Sequence, residues 1–313
     1  MKTTYQFCLT TIGILMLGSL PYLLFDEMES MRSVLKLMES GVLKSASFLG
    51  HDIGFHPENY VTHIVGTISG LFHFTEINYY YNADFLPLFP AFFYKFLYSM
   101  TIFLCALFAG LLIAVLFTFL ILMMPDWLKK PVNFVLFVIE SIPDLFIILI
   151  LQTTIIWLYI RTDIMLFDIF SSHEDPAYIL PILCLAILPA IFLIKHLVQL
   201  FEEESDKLYV EFARGKGLRK SWILLVHILR NTLIILFYQF KTIFWFALSN
   251  LLMLEIIFNM KGFMNFMWSF APTTPFILTI GLLMIFIPFY FVLGFGKLLL
   301  RKGGLVHDSG ENI

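Results

Sequence analysis

Charge is what this 313-residue sequence has least of. Asp, Glu, Lys and Arg make up 14% of it against 59% hydrophobic residues, and mean hydropathy is +0.87. That balance excludes a soluble globular domain and indicates a polytopic membrane protein. Cysteine is scarce too. Cys8, Cys105 and Cys184 all fall in long apolar runs, so no disulfide framework is indicated and reduced, packed thiols are expected. Signatures of chemistry are missing: there is no G-x-x-x-x-G-K-[ST] phosphate loop, no H-E-x-x-H, and no Ser/His/Asp grouping at one membrane depth. The basic residues lie in loops at membrane edges, so nucleic-acid binding has no support. The net charge of -3 says little, because in a membrane protein the placement of charge matters and its sum does not.

What the sequence has is hydrophobic length and 36 phenylalanines, suited to lipid-facing and helix-packing positions. Six spans are expected, at about 5–25, 94–124, 132–160, 177–200, 231–258 and 275–298, in an all-α fold. The first is read as a retained helix rather than a signal peptide, since no small-residue cleavage site follows it. Cations assigned to the inner side (Lys2, Lys129, Lys130, Lys195, the 207–230 cluster, Lys297, Arg301, Lys302) outnumber those assigned outside (Arg32, Lys36, Lys44, Arg161, Lys261). Both termini are therefore expected in the cytoplasm. Lys195 and His196 are expected to be snorkelling anchors near the inner end of the fourth span.

Residues 26–93 break the membrane pattern and are expected to be an extracytoplasmic segment that packs on the helix ends. Asp26 can cap a helix in which Met28, Met31, Leu35, Met38 and Val42 recur at helical spacing. Gly50 to Pro57 reads as a turn, and Tyr79-Tyr80-Tyr81 with Pro87 and Pro90 as an interfacial re-entry. His51, His56, His63 and His73 invite a metal reading, but their spacing matches no ligand motif.

The most informative stretch is 202–231, EEESDKLYVEFARGKGLRKSWILLVHILRN, a charged island between two apolar runs. Lys207, Arg214, Lys216, Arg219, Lys220 and Arg230 place it on the cytoplasmic face. Asp206 can cap a short helix through Phe212, Gly215 and Gly217 punctuate the stretch, and a second helix starts near Ser221. On charge alone it also suits a plain topogenic loop held near anionic lipid.

Glu211, Ala213 and Gly217 form E-x-A-x-x-x-G, and His227, Arg230 and Asn231 follow as H-x-x-R-N. This resembles the cytoplasmic loop of ABC-importer permeases, and YVEFARGKGL with its H-x-L-R-N tail resembles the dipeptide/oligopeptide/nickel branch. Later stretches agree: ESIPDLF is similar to a family Ser-Ile-Pro-x-Phe run. Glu255, Phe258 and Gly262 match a Glu-x-x-Phe-x-x-x-Gly stretch, though Ser249-Asn250 stand where a glycine pair is usual. The resemblance covers about 94–302, fades over the first 90 residues, and leaves 303–313 as a cytoplasmic tail without the family's Asp-Pro-Arg ending.

The resemblance implies a permease of the bacterial cytoplasmic membrane, with the loop at 201–230 carrying a coupling helix that seats in a cytoplasmic ATPase. Glu211, Ala213, Arg214, Gly215, Gly217, His227, Arg230 and Asn231 are the coupling residues it implies. Ala213 is expected to supply a close-approach docking surface and Gly217 the sharp turn behind it. It also implies a second homologous permease, two ABC ATPases that bind the ATP and Mg, and an extracytoplasmic substrate-binding protein. This chain itself is expected to bind no cofactor or metal and to catalyse no reaction. Peptides are the expected substrate class, with nickel chelates or another small solute as alternatives. A stand-alone secondary transporter or channel is the rival class, although no inverted internal repeat is found.

Glu140 and Asp144 lie four residues apart, on one face of the expected third helix. Counted from about residue 132, they sit roughly 12 and 18 Å into the apolar slab. Acids at such depth face a bundle interior or a wet cavity. With Pro143, which should kink the helix, and Glu255, they are expected to line the translocation path and to favour substrates with a positive group. Alternatively the acids pair with polar groups on a neighbouring helix and hold the bundle together.

Overall fold

The structure is a computed structural model that describes residues 2–25, 37–38, 41, 54–72, 77–81, 84–163, 167–168, 171, 176–272 and 274–302. The expected helix from Asp26 to Val42 (apart from Leu37, Met38 and Gly41), His51 and His73 lie outside these residues, as do most of residues 164–175 and the 303–313 tail. The chain is an all-α polytopic membrane protein. Among the described residues, five helices are long and apolar enough to cross a membrane, and a shorter apolar helix, Tyr5–Gly18, precedes them. The described chain forms two compact units.

One unit joins residues 1–96 to 263–313. Its helix α1, Lys2–Gly18, is shorter than the 5–25 span the sequence suggested. Pro21 lacks an N–H and opens a separate turn, α2, Pro21–Leu24. α3 is Pro57–Gly70, and α11 (Phe263–Phe270) and α12 (Phe276–Lys302) close the unit. α1 packs on α12, with Ile14 buried against Leu283 and Phe286 and the Phe7 ring 4.8 Å from Tyr290. The stretch expected to re-enter at Tyr79 forms a two-stranded antiparallel hairpin, β1 (Asn78–Tyr81) with β2 (Asp84–Pro87), in register Tyr79 to Leu86. Consecutive aromatic residues favour a strand, and Tyr79 fixes the hairpin by edge contacts 5.1 and 5.0 Å from Phe266 and Phe270 of α11.

The other unit, residues 97–262, holds the charged island. α4, Ala91–Met123, enters it from the preceding unit and is 33 residues long, about 50 Å, more than an apolar slab requires. Pro125, with extended φ/ψ of -65° and 150°, stops it and opens α5, Asp126–Glu140. α6 is Asp144–Thr162 and α7 is Ile179–Ser205. The island folds as α8, Leu208–Gly215, and α9, Lys220–Trp222. α9 runs through a π-helical segment, Ile223–Ile228, into α10, Leu229–Ile257. One apolar cluster gathers the inner halves of α4, α7 and α10 around Ile121, Leu193, Leu197 and Leu236. α6 is barely covered by the rest of the chain, and Phe146, Ile150 and Trp157 are exposed along it. Of the thiols, Cys184 is buried as expected, whereas Cys8 and Cys105 are exposed on their helices rather than packed.

Candidate functional site

α8 is amphipathic, and its inward face decides what the outward face can do. Val210 and Ala213 are buried, in the same cluster as Leu197, Phe201, Ile223, Leu224 and Ile228. Burial of a side chain of valine's size stabilises by about 1.5–3 kcal/mol, enough to fix which face of a two-turn helix turns inward. The opposite face shows Leu208 at 82% and Phe212 at 67% exposure, one turn apart, beside exposed Glu211, Arg214 and Gly215. Ala213 is thus packed into the loop's own core, and the protruding apolar pair is Leu208 and Phe212. The Lys216 ammonium lies 4.4 Å from the Phe212 ring centroid.

Asp206 does not cap this helix. It ends α7, while Lys207 takes the position before α8 with extended φ/ψ and no capping side chain. The polar fastening is different, and it centres on Glu204 in the last turn of α7. Glu204 is 4% exposed, while its neighbours Glu202 and Glu203 face out. Lys207 pairs with its Oε1, and the Tyr209 hydroxyl donates to its Oε2 at 2.6 Å. Asn231, in the first turn of α10, donates from Nδ2 to the Tyr209 hydroxyl at 3.3 Å and also reaches Glu204. Burial, and then the bond to Glu204, push the Tyr209 hydroxyl up to about 12, so it stays a donor at neutral pH.

The return strand from α8 is set by Gly217, whose φ is +77°. A side chain there would meet open space, so the glycine is required by backbone conformation and not by crowding. Lys220 then reaches across to donate from Nζ to the Leu122 carbonyl at 2.6 Å, closing the last turn of α4. His227 lies half-buried in the π-helical segment, and Arg230 is exposed. The structure thus gathers Ala213, Gly217 and Asn231 into one scaffold and leaves Glu211, Arg214, Gly215 and Arg230 on its surface. Glu204, Lys207 and Tyr209 are the residues that sequence reasoning missed as a group. Their only signal is the i, i+3 spacing of Glu204 and Lys207.

The proposed path residues fall in two separate neighbourhoods. The helix expected at 132–160 is two helices, broken at 141–143. Pro143 does not kink it; with φ/ψ of -57° and 138° it stands outside the helix and opens α6. A proline disfavours helical geometry at the preceding residue, here Ile142, which explains a break in place of a bend. The depth count from residue 132 does not apply, because Asp144 is the first residue of the spanning helix α6. Glu140 pairs with Lys195 of α7, whose ammonium also lies 5.8 Å from the Phe137 ring centroid. Lys195 is thus engaged with α5. Asn250, 6% exposed on α10, donates from Nδ2 to Asp144 Oδ2 at 3.1 Å. The asparagine at the usual glycine position therefore joins α10 to α6. Both acids have partners on neighbouring helices.

Glu255 is fully buried near the far end of α10. It accepts a hydrogen bond from Ser99 of α4, and its own carbonyl accepts from the Met260 amide at 2.8 Å. Among the described residues no group of three His, Cys, Asp or Glu side chains is arranged to hold a metal ion. His63 on α3 is instead stacked on Tyr22 at 3.6 Å and bonded to Ser19 at 3.0 Å, and burial lowers its pKa to about 4.

A family model described as "Binding-protein-dependent transport system inner membrane component" matches residues 106–302, well over half of the chain. No curated protein matches it.

Proposed function

The chain belongs to the family of binding-protein-dependent transport system inner membrane components, and on that premise we propose that it is a permease subunit of an ATP-driven peptide importer. In this reading α8 is the coupling helix, and it docks in a cleft of a cytoplasmic ABC ATPase. The observation that carries it is the exposed pair Leu208 and Phe212 on a short helix otherwise surrounded by charge. Exposed apolar side chains one turn apart on an anchored helix suit a helix-in-groove contact. Two ATPases hold ATP and Mg²⁺, a second homologous permease completes the membrane path, and an extracytoplasmic binding protein delivers substrate to a complex in the bacterial cytoplasmic membrane. ATP-driven closure of the ATPases displaces α8 and rocks the spans between inward- and outward-open states.

The sparsely covered α6, with Pro143 and Asp144 at its start, contributes this chain's side of the path. Asp144 favours a substrate with a positive amino terminus, and Glu255 fixes the far end of α10 that borders the route. Peptides fit this acidic feature better than an anionic solute does.

The experiment is affinity purification and uptake with Leu208→Ser and Phe212→Ser. Both side chains are solvent-exposed, so the variants fold. The ATPase subunits should be lost from the purified complex, and ATP-dependent uptake of labelled tri-alanine should fall about tenfold or more, as for the loss of an interface anchor. Uptake at the normal rate without any bound ATPase would overturn the reading in favour of a secondary transporter.

A further inference from the structure

The apolar contacts beneath α8 hold it down but do not fix its direction. Hydrophobic burial is non-directional, and α8 meets the cluster formed by Leu197, Phe201 and Ile228 through the small side chains of Val210 and Ala213. Directional bonds come from the group around Glu204. We propose that Glu204 and Tyr209 are positioning residues that lock α8 to α7 and α10 as one body, so that displacement of α8 reaches both spans. This rests on α8 being the coupling helix.

Three elements meet at one buried carboxylate. Glu204 belongs to the last turn of α7, Tyr209 to the first turn of α8, and Asn231 to the first turn of α10. A buried carboxylate is costly unless charge and hydrogen bonds satisfy it, so the group holds together or fails together. Here Lys207 supplies the charge at Oε1 and the Tyr209 hydroxyl the bond at Oε2. Asn231 closes the ring by donating to the same hydroxyl. The phenol carries α8 into the contact between Glu204 of α7 and Asn231 of α10, touching both, which makes Tyr209 the hinge pin of the arrangement. Lys220 adds a separate tie from the returning chain to the end of α4.

Tyr209→Phe removes the shared hydroxyl and keeps the ring, and Glu204→Gln keeps an acceptor but removes the charge that pairs with Lys207. Neither residue belongs to the Leu208–Phe212 docking face. In proteoliposomes carrying the full complex, both variants should retain their ATPase subunits. Uptake of tri-alanine per ATP hydrolysed should fall about tenfold, the equivalent of one hydrogen bond to a charged group. In the full-length chain in nanodiscs, amide exchange over Leu208–Gly215 should speed up by about the same factor. Wild-type coupling ratios together with wild-type exchange would overturn the proposal. Should the variants fail to assemble, the exchange measurement alone decides, and unchanged exchange overturns it. Retention of the ATPase subunits by Leu208→Ser and Phe212→Ser would instead count against α8 as coupling helix.

Discussion

Gly262 leaves room for the carboxyl group of Glu255: a Cβ at position 262 would overlap it. Two matched positions of one motif, seven residues apart, are thus two sides of one contact. Glu255 is fully buried and bonded to Ser99, so its carboxyl cannot swing away to accommodate a side chain. Gly262→Ala should destabilise the purified protein by about 1–3 kcal/mol, the usual cost of overpacking, and lower its melting temperature in detergent. Glu255→Ala in the same chain should recover part of that loss by vacating the space. An unchanged melting temperature for Gly262→Ala would show that the contact is not tight.

Two substitutions in the charged loop separate packing from conformation. Ala213→Asp places a carboxylate in the apolar cluster with no partner, a change that costs several kcal/mol. It should loosen α8 in the chain by itself, seen as faster amide exchange with no ATPase present. A docking role for Ala213 predicts instead normal exchange and lost association.

Gly217→Val forces a β-branched residue to φ near +77° and should cost about 1–3 kcal/mol. Gly217→Asn should cost less, because asparagine tolerates the left-handed region. Equal transport by the valine and asparagine variants would mean that the turn can relax.

Asp144→Asn and Glu140→Gln should differ. The amide introduced by Asp144→Asn keeps an oxygen that can accept from Asn250, so assembly should persist, while uptake of a peptide with a free amino terminus should drop relative to one with an acetylated terminus. Glu140→Gln leaves Lys195 without its counter-charge and should weaken the α5–α7 contact by less than about 1 kcal/mol, since both side chains are substantially exposed. If neither variant alters rate or substrate preference, the two acids serve only the packing of the bundle.

His63 gives a pH dependence of known sign. Burial lowers its pKa from the ordinary 6.5 to about 4, so the folded form resists protonation that the unfolded chain accepts. Stability from this site is fully present above pH 6.5 and is lost as pH falls toward 4. Amide exchange over Pro57–Gly70, corrected for its intrinsic pH dependence, should accelerate in that window. His63→Phe, which keeps a ring on Tyr22 and cannot protonate, should abolish the acceleration; its persistence in that variant would assign the effect elsewhere.

The sequence by itself determined four of the long apolar helices, those expected at 94–124, 177–200, 231–258 and 275–298, and where the charged loop lies between two of them. Long apolar runs can be satisfied only as helices in lipid, and clustered cations between two such runs can lie only at an edge. It also determined that Gly217 marks a turn. It could not decide which face of α8 turns inward. Val210 with Ala213 and Leu208 with Phe212 are both apolar pairs at helical spacing, and only the neighbouring Ile223, Leu224 and Ile228 select between them. Nor could it single out Glu204 from three consecutive glutamates, since its burial depends on Tyr209 and on Asn231, a residue far along the chain at the start of α10. The break at 141–143 and the Asp144–Asn250 bond were hidden for the same reason. Hydropathy and spacing are local quantities, whereas a polar group's partner within the membrane is chosen by which helices the tertiary structure brings side by side.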